Sequence, residues 1–264
     1  MDFGIKGKRA FVTGGASGIG GAIVSELAAA GVKVAFVSRN EEYVKKTLNE
    51  IGGNALGHYA IVADISREGA PENICKEVAD NFGNADIIVN NVGDTLGILD
   101  PLCSISDWRR LFRLNLEVHI EVNNFFIPYM KQQKWGRIVN ITAGAALENS
   151  GPVPYCSMKA AYTAYTRSMA RVLAPEGIVM SAVLPGVVLT ENGHWQKVLK
   201  ERPNHAKKYL AERTSLKRFG TPNEISPMVV FLCSELASFC QGSIVPVEGG
   251  QARHFFSGNY YSFV

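Results

Sequence analysis

The 264-residue sequence has no apolar run approaching the roughly 20 residues needed to cross a bilayer, so no membrane partner is predicted. Its opening, MDFGIKGKRAFVTGG, lacks the apolar core and small-residue cleavage site of a signal peptide. A cytoplasmic location is therefore expected. Cysteine is sparse: Cys75, Cys103, Cys156, Cys233 and Cys240 are scattered and form no CxxC pair. That spacing offers neither a disulfide framework nor a zinc site, and no metal is predicted. Charge of one sign is lacking too, since 27 Lys and Arg against 24 Asp and Glu leave a net +3. No basic stretch is interleaved with aromatic residues, so no nucleic-acid partner is expected.

What is present is an ordinary globular composition, 47% hydrophobic and 19% charged, in a chain of the right length for one large α/β domain. Short apolar runs at 9–12, 33–37, 57–62, 86–89, 137–141, 179–184 and 244–247 read as strands. Stretches with helical spacing lie around 20–30, 41–51, 68–82, 107–133, 156–173 and 223–234. Several strands are apolar throughout rather than alternating, as in a parallel sheet covered on both faces. The rhythm predicts a Rossmann-type, doubly wound parallel sheet forming a single domain over 1–264. Such sheets bind ligands beyond the carboxyl ends of their strands, so the informative residues should follow strands.

They do. After the first strand comes Thr13-Gly14-Gly15-Ala16-Ser17-Gly18-Ile19-Gly20, opening a helix. Glycines allow a tight turn and close backbone approach to a pyrophosphate, whose charge then faces the helix amides. The second strand ends in Val37-Ser38-Arg39-Asn40. A carboxylate there would accept hydrogen bonds from a ribose 2′-hydroxyl and repel a 2′-phosphate. With Ser38 in that place and Arg39 able to pair with phosphate, NADP(H) is favoured over NAD(H). Tyr155-Cys156-Ser157-Met158-Lys159 is the chain's one YxxxK, which places phenol and ammonium on one helix face. The ammonium is expected to lower the tyrosine pKa, making Tyr155 a general acid for ketone reduction or a base for the reverse. Cys156, beside it, reads as a small packed side chain.

The spacing TGxxxGxG resembles the single-domain branch of the short-chain dehydrogenase/reductase family, and 3-oxoacyl-carrier-protein reductases within it. Asn90-Asn91-Val92-Gly93 is similar to that family's NNAG motif, Pro185-Gly186-Val187-Val188-Leu189-Thr190 to its PGxxxT segment, and Arg218-Phe219-Gly220-Thr221-Pro222 with Val247-Glu248-Gly249-Gly250 to its closing signature. The likeness runs over residues 6–250. It implies cofactor contacts from Gly14, Ser17, Gly18, Ile19 and Gly20, an adenine contact at Asp64-Ile65, and further contacts from Asn91 and Gly93. Pro185, Gly186, Val188 and Thr190 would meet the nicotinamide carboxamide. Lys159 would hold the nicotinamide ribose, and Asn115 would support a water relay to Lys159. The family's carbonyl-polarising serine falls on Ala143 when matched by the strand Ile138–Gly144, and on Thr142 when matched by distance to Tyr155. Two readings stay open: Thr142 donates after a local adjustment, or Ala143 is a true vacancy, natural or introduced.

The resemblance places a substrate lid at about 191–217, where Lys197, Lys200, Arg202, Lys207, Lys208, Arg213, Lys217 and Arg218 face only Glu201 and Glu212. Such a cluster is either a solvated face or a receiver for an anionic handle on an acyl thioester, sugar or nucleotide-sugar. Steroid, polyol and small-ketone substrates stay open as well. A non-catalytic NADP(H) sensor is the rival from another class. The resemblance also implies a homo-oligomer, tetramer or dimer, joined through the helices at 107–133 and 156–173. The aromatic tail at 251–264 is too apolar to stand free and should pack on a neighbour or on its own chain.

Overall fold

The structure, a computed structural model, describes residues 2–148, 151–191 and 193–251. The aromatic tail from residue 252 onward lies outside the described residues. Among the described residues seven strands form one sheet: β1 Arg9–Thr13, β2 Lys33–Ser38, β3 Tyr59–Val62, β4 Ile87–Asn90, β5 Gly136–Ile141, β6 Ile178–Pro185 and β7 Ile244–Val247. Their order is β3-β2-β1-β4-β5-β6-β7, with every pairing parallel.

The helices through the first half are α1 Gly18–Ala29, α2 Glu41–Glu50, α3 Ala70–Asn81, α4 Ile105–Phe112 and α5 Val118–Gln133. Then follow α6 Ala145–Glu148, α7 Val153–Leu173, α8 His194–Glu201, α9 Pro203–Arg213 and α10 Pro222–Leu232. Side chains alternate across the strands, as the pleat requires. Ala10, Val12, Val34 and Phe36 join one core, with Ile23 and Leu27 of α1 and Val229 and Val230 of α10. Phe11, Ala35 and Val37 join the other, against Val78 of α3, Val122 and Phe126 of α5, and Leu173 of α7. Burial on both faces is why these strands carry apolar runs without alternation.

The strand order reverses beside β1, where β2 and β3 lie to one side and β4 to the other. The carboxyl ends of β1 and β4 therefore splay their connections apart and leave a crevice.

Two elements depart from the sequence reading. The helix expected over 107–133 is interrupted by a π-helical turn at Arg113–Glu117. Its cause is local: the Asn115 side-chain amide donates to the Leu111 carbonyl at 3.1 Å, taking an acceptor from the backbone ladder. The lid carries two helices, α8 and α9, that the periodicity reading left unassigned. Among the described residues no helix is long and apolar enough to cross a membrane.

Candidate active site

The glycine turn is held from below. Gly14 has φ +66° and Gly18 φ +55°, conformations in which a side chain is strained. The amides of Gly14 and Gly15 donate to the Val37 carbonyl, which ties the turn to the end of β2. Asn91 braces it from β4, with its side-chain amide 3.1 Å from the carbonyls of Thr13 and Gly14. A Cβ at Gly20 would lie 2.1 Å from the Gly14 carbonyl oxygen, so only glycine lets α1 close onto the turn. Ser17 makes no side-chain cap bond, leaving the first amides of α1 open to a ligand.

A single cavity of about 560 Å³ runs from this turn over the ends of β1, β2, β4, β5 and β6. Its lining includes every expected cofactor residue: Gly14, Ser17, Gly18, Ile19 and Gly20 from the turn, and Ser38 and Arg39 after β2. Asp64 and Ile65 follow β3, Asn91 and Gly93 follow β4, and Pro185, Gly186, Val188 and Thr190 close the far wall. Burial alone would raise the Asp64 carboxyl, but the hydrogen bonds from Ser66 and the charges of Arg39 and Arg67 hold it below its ordinary value.

Tyr155, Lys159, Thr142 and Ala143 line the inner end of the same cavity. Tyr155 stands in the first turn of α7, which starts at Val153. Lys159 is 2% exposed, with its ammonium 3.2 Å from the Ile141 carbonyl and 5.7 Å from the ring centres of both Tyr155 and Tyr162. Burial lowers its pKa to about 8, against a smaller opposing pull from Asp94. Burial pushes the Tyr155 phenol above its ordinary value, and the charges of Asp94 and Cys156 add to this. The sign is opposite to the sequence expectation: desolvation, and not the neighbouring ammonium, sets the direction. Tyr155 is therefore held protonated at neutral pH.

Asn115 does not line the cavity but is buried just behind it. Its Oδ1 accepts from the Asp94 amide at 3.1 Å and its Nδ2 donates to the Asp94 carbonyl at 2.9 Å. Gly93 is the contact between the two sides, since a Cβ there would lie 2.7 Å from the Lys159 ammonium and 2.9 Å from Asn115 Oδ1. Thr142 is buried; its amide donates to the Val183 carbonyl at 2.9 Å, and its hydroxyl lies 3.5 Å from the same oxygen. Ala143 is more open and bears no donor.

Other residues of the site escaped the sequence reading. Asp94, directly after the NNVG segment, lines the cavity and acts on the charge of both Tyr155 and Lys159. His194 and Trp195, by contrast, belong to the lid segment that the sequence marks after Thr190, and both line the cavity, with Trp195 packed on Tyr209 at 4.6 Å and Phe219 at 5.2 Å between ring centres. None of the eight basic residues of the lid segment is in the cavity lining. Arg218 is instead paired with Glu224 through bonds of 2.9 and 2.7 Å.

A dinucleotide-sized crevice with a tyrosine–lysine pair at its inner end defines an NAD(P)-dependent oxidoreductase acting on CH–OH and keto groups. The chain belongs to the short-chain dehydrogenase/reductase family, and a family model described as enoyl-(acyl carrier protein) reductase matches residues 14–252. It is 34% identical to the 3-oxoacyl-[acyl-carrier-protein] reductase of Aquifex aeolicus, over 95% of this chain and 99% of that one. L-Sorbose reductase from Gluconobacter frateurii, solved with NADPH and L-sorbose, superposes with a TM-score of 0.87 at 26% identity, covering 96% of this chain and 99% of that one. A 7α-hydroxysteroid dehydrogenase solved with NADH and 7-oxo glycochenodeoxycholic acid superposes with a TM-score of 0.85 at 29% identity, covering 95% and 96%. The relatives thus share the reaction class while differing in substrate and nicotinamide.

Proposed function

We propose that the chain is an NADP(H)-dependent carbonyl reductase and alcohol dehydrogenase, with Tyr155 as its general acid and base. The carrying observation is the fixed, buried Lys159 ammonium beside the Tyr155 ring at the inner end of the glycine-lined cavity. The residues fit the dinucleotide. The uncapped start of α1 and the Gly14 and Gly18 turn would hold the pyrophosphate, Ser38 and Arg39 the 2′-phosphate, and Asp64 and Ile65 the adenine. Asn91, Gly93 and Lys159 would hold the nicotinamide ribose, with Pro185, Gly186, Val188 and Thr190 at the carboxamide. When bound, the nicotinamide supplies or accepts the hydride.

Tyr155 donates its phenolic proton to the substrate oxygen during reduction and recovers it in the reverse direction. At neutral pH the phenol carries the proton that reduction consumes. Lys159 limits the cost of the phenolate that remains, and Asn115 fixes the backbone of Asp94 beside it while supporting proton return to Lys159. At the carbonyl, Thr142 acts as donor once its hydroxyl turns from Val183 toward the cavity.

The substrate in this reading is a small keto or hydroxyl compound. The lid's basic side chains, outside the cavity, would meet an anionic handle or acidic carrier at the protein surface. Self-association through α5 and α7 belongs to the same proposal, supported by the exposed Val153 and Val172 of α7; sedimentation checks it.

The test is NADPH oxidation on a panel of 3-ketoacyl thioesters, keto-sugars and simple ketones, with Tyr155→Phe alongside. Turnover lost in the variant with NADPH affinity kept supports the assignment. A variant as fast as the parent chain sinks it. NADPH binding with no turnover anywhere on the panel favours the sensor reading.

A further inference from the structure

We propose that Arg113 is a positioning residue for the adenosine half of the cofactor, an inference that rests on the dinucleotide reading above. Arg113 opens the π-helical turn that carries Asn115, yet its side chain reaches away to the loop after β3. Its Nε donates to the Ser66 carbonyl at 3.0 Å and its Nη2 to the Arg67 carbonyl at 3.0 Å. The third nitrogen, Nη1, pairs with Glu117 at 3.1 Å and with Glu121. All three guanidinium nitrogens are therefore engaged, and the side chain is only 19% exposed.

The loop so held is the one that borders the adenine end. Asp64 and Ile65 line the cavity, and Asp64 Oδ1 in turn accepts from the Ser66 amide at 3.0 Å and hydroxyl at 2.6 Å. Pinning the carbonyls of Ser66 and Arg67 thus fixes the Asp64 carboxylate one step upstream. The next residue in the π turn, Leu114, lines the same cavity, and the one after it is Asn115. One guanidinium ties the adenosine wall to the turn behind Lys159.

A planar fork suits this task, because two carbonyls at fixed spacing need two donors on one rigid group. Glu117 of the same π turn and Glu121 of α5 hold the guanidinium from the other side, so the loop is held from this helix in addition to its own turn bonds from Ser66 to Asp64. No bond of the guanidinium reaches a residue assigned to the nicotinamide half, and Asn115 keeps its own bonds to Asp94 and Leu111 without it. The expected effect of its loss is therefore selective.

The two halves of the cofactor can be titrated separately, using adenosine 2′,5′-bisphosphate and reduced nicotinamide mononucleotide as probes. Arg113→Met is expected to weaken the bisphosphate about tenfold through two lost charge-assisted bonds, and to change the mononucleotide less than about twofold. Arg113→Lys keeps the ion pair with the two glutamates but cannot bridge both carbonyls. It should show the same selectivity at an intermediate size, which covers the case in which the methionine variant folds poorly. Hydrogen exchange of the amides at 64–67 in the ligand-free protein should quicken about tenfold in either variant. Equal weakening of both probes, or unchanged exchange with unchanged bisphosphate affinity, overturns the role of Arg113. The parent chain's own titration with the bisphosphate tests the dinucleotide reading separately, and the ligand-free exchange reads Arg113 whichever way that falls.

Discussion

Gly93→Ala is expected to disable the site while leaving the fold nearly intact. Gly93 does not adopt a positive φ, so its backbone accepts alanine without strain and the added methyl acts through space alone. That methyl would lie 2.7 Å from Lys159 Nζ, 2.9 Å from Asn115 Oδ1 and 3.5 Å from Lys159 Cε. Ordinary contact between carbon and a polar atom is about 3.5 Å, so the ammonium must retreat by most of an ångström. It cannot do so and keep its 3.2 Å bond to the Ile141 carbonyl in line. A charge-assisted hydrogen bond of this kind is worth about 2 kcal/mol, but the lysine tip is flexible and can find another donor geometry. The stability cost should therefore stay below that figure. Catalysis is less forgiving, since a displacement near 1 Å costs about 10²-fold in rate, or about 2.7 kcal/mol. The assay compares kcat for ketone reduction, NADPH affinity by fluorescence and thermal midpoint. A fall of about 10² in kcat, with a modest loss of affinity and a small shift in midpoint, is the expected pattern. A variant with kcat within about twofold of the parent would show that the Lys159 position does not limit the chemistry.

Asp94→Asn should move the limb along which alcohol oxidation rises with pH to lower pH, because Asp94 raises Tyr155 and its removal eases phenolate formation; an unchanged or upward limb refutes this. Ala143→Ser should change kcat less than about threefold, since Thr142 already serves as donor at the carbonyl; a gain of about a hundredfold would mean that position 143 is the vacant donor place and that Thr142 keeps its hydroxyl toward Val183. Ser38→Asp should shift preference from NADPH toward NADH by at least about tenfold in the ratio of kcat/KM, and an unmoved ratio would remove Ser38 from the 2′-phosphate site. His119, fully buried with its pKa lowered to about 3 mainly by desolvation, takes up its proton only on unfolding as pH falls below the ordinary 6.5. Folding stability should decline between about pH 6.5 and 3 more steeply in the parent than in His119→Gln, by up to about 4 kcal/mol at roughly 1.4 kcal/mol per unit, as read by urea titration.

The strands were legible because their neighbours cover both faces: a run such as Ala10–Phe11–Val12 has to be apolar throughout when alternate side chains enter different cores. The lining of the crevice was legible for a related reason. Residues that follow parallel strands fall at one edge of the sheet, so motifs far apart in sequence converge on one crevice. Asn115 shows where that logic stops. Its segment keeps helical spacing without a gap, and the π turn arises from a side-chain bond to Leu111 that periodicity does not register. The direction of the Tyr155 shift was likewise hidden, because it depends on how completely α7 and β5 exclude water around the phenol. Helices α8 and α9 escaped notice because their faces are mostly polar, each burying one residue, Val198 and Ala206.

A buried ammonium such as Lys159 needs rigid surroundings, and the polar groups beneath it supply them. Asn90 donates to Asn123 Oδ1 at 2.9 Å and to Asn140 Oδ1 at 3.0 Å, while the Tyr162 hydroxyl donates to Asn140 Oδ1 at 2.8 Å. Tyr162 stacks on His119 at 4.7 Å, and His119 Nε2 donates to the Val92 carbonyl at 2.8 Å. These residues come from β4, β5, α5 and α7, the four elements that meet at Lys159. The carbonyl of Val92 accepts only, so His119 is the Nε2–H tautomer, neutral as its lowered pKa requires. A second positive charge beside Lys159 is thereby avoided. Polar side chains in a core cost stability unless paired; here the bonds join the ends of β4 and β5 to the helix bearing Tyr155, while Asn90 Oδ1 and His119 Nδ1 are buried without a partner. Packing apolar groups in these places would hold the sheet as well, but would remove the Asn140 bond that fixes the Tyr162 ring beside the Lys159 ammonium.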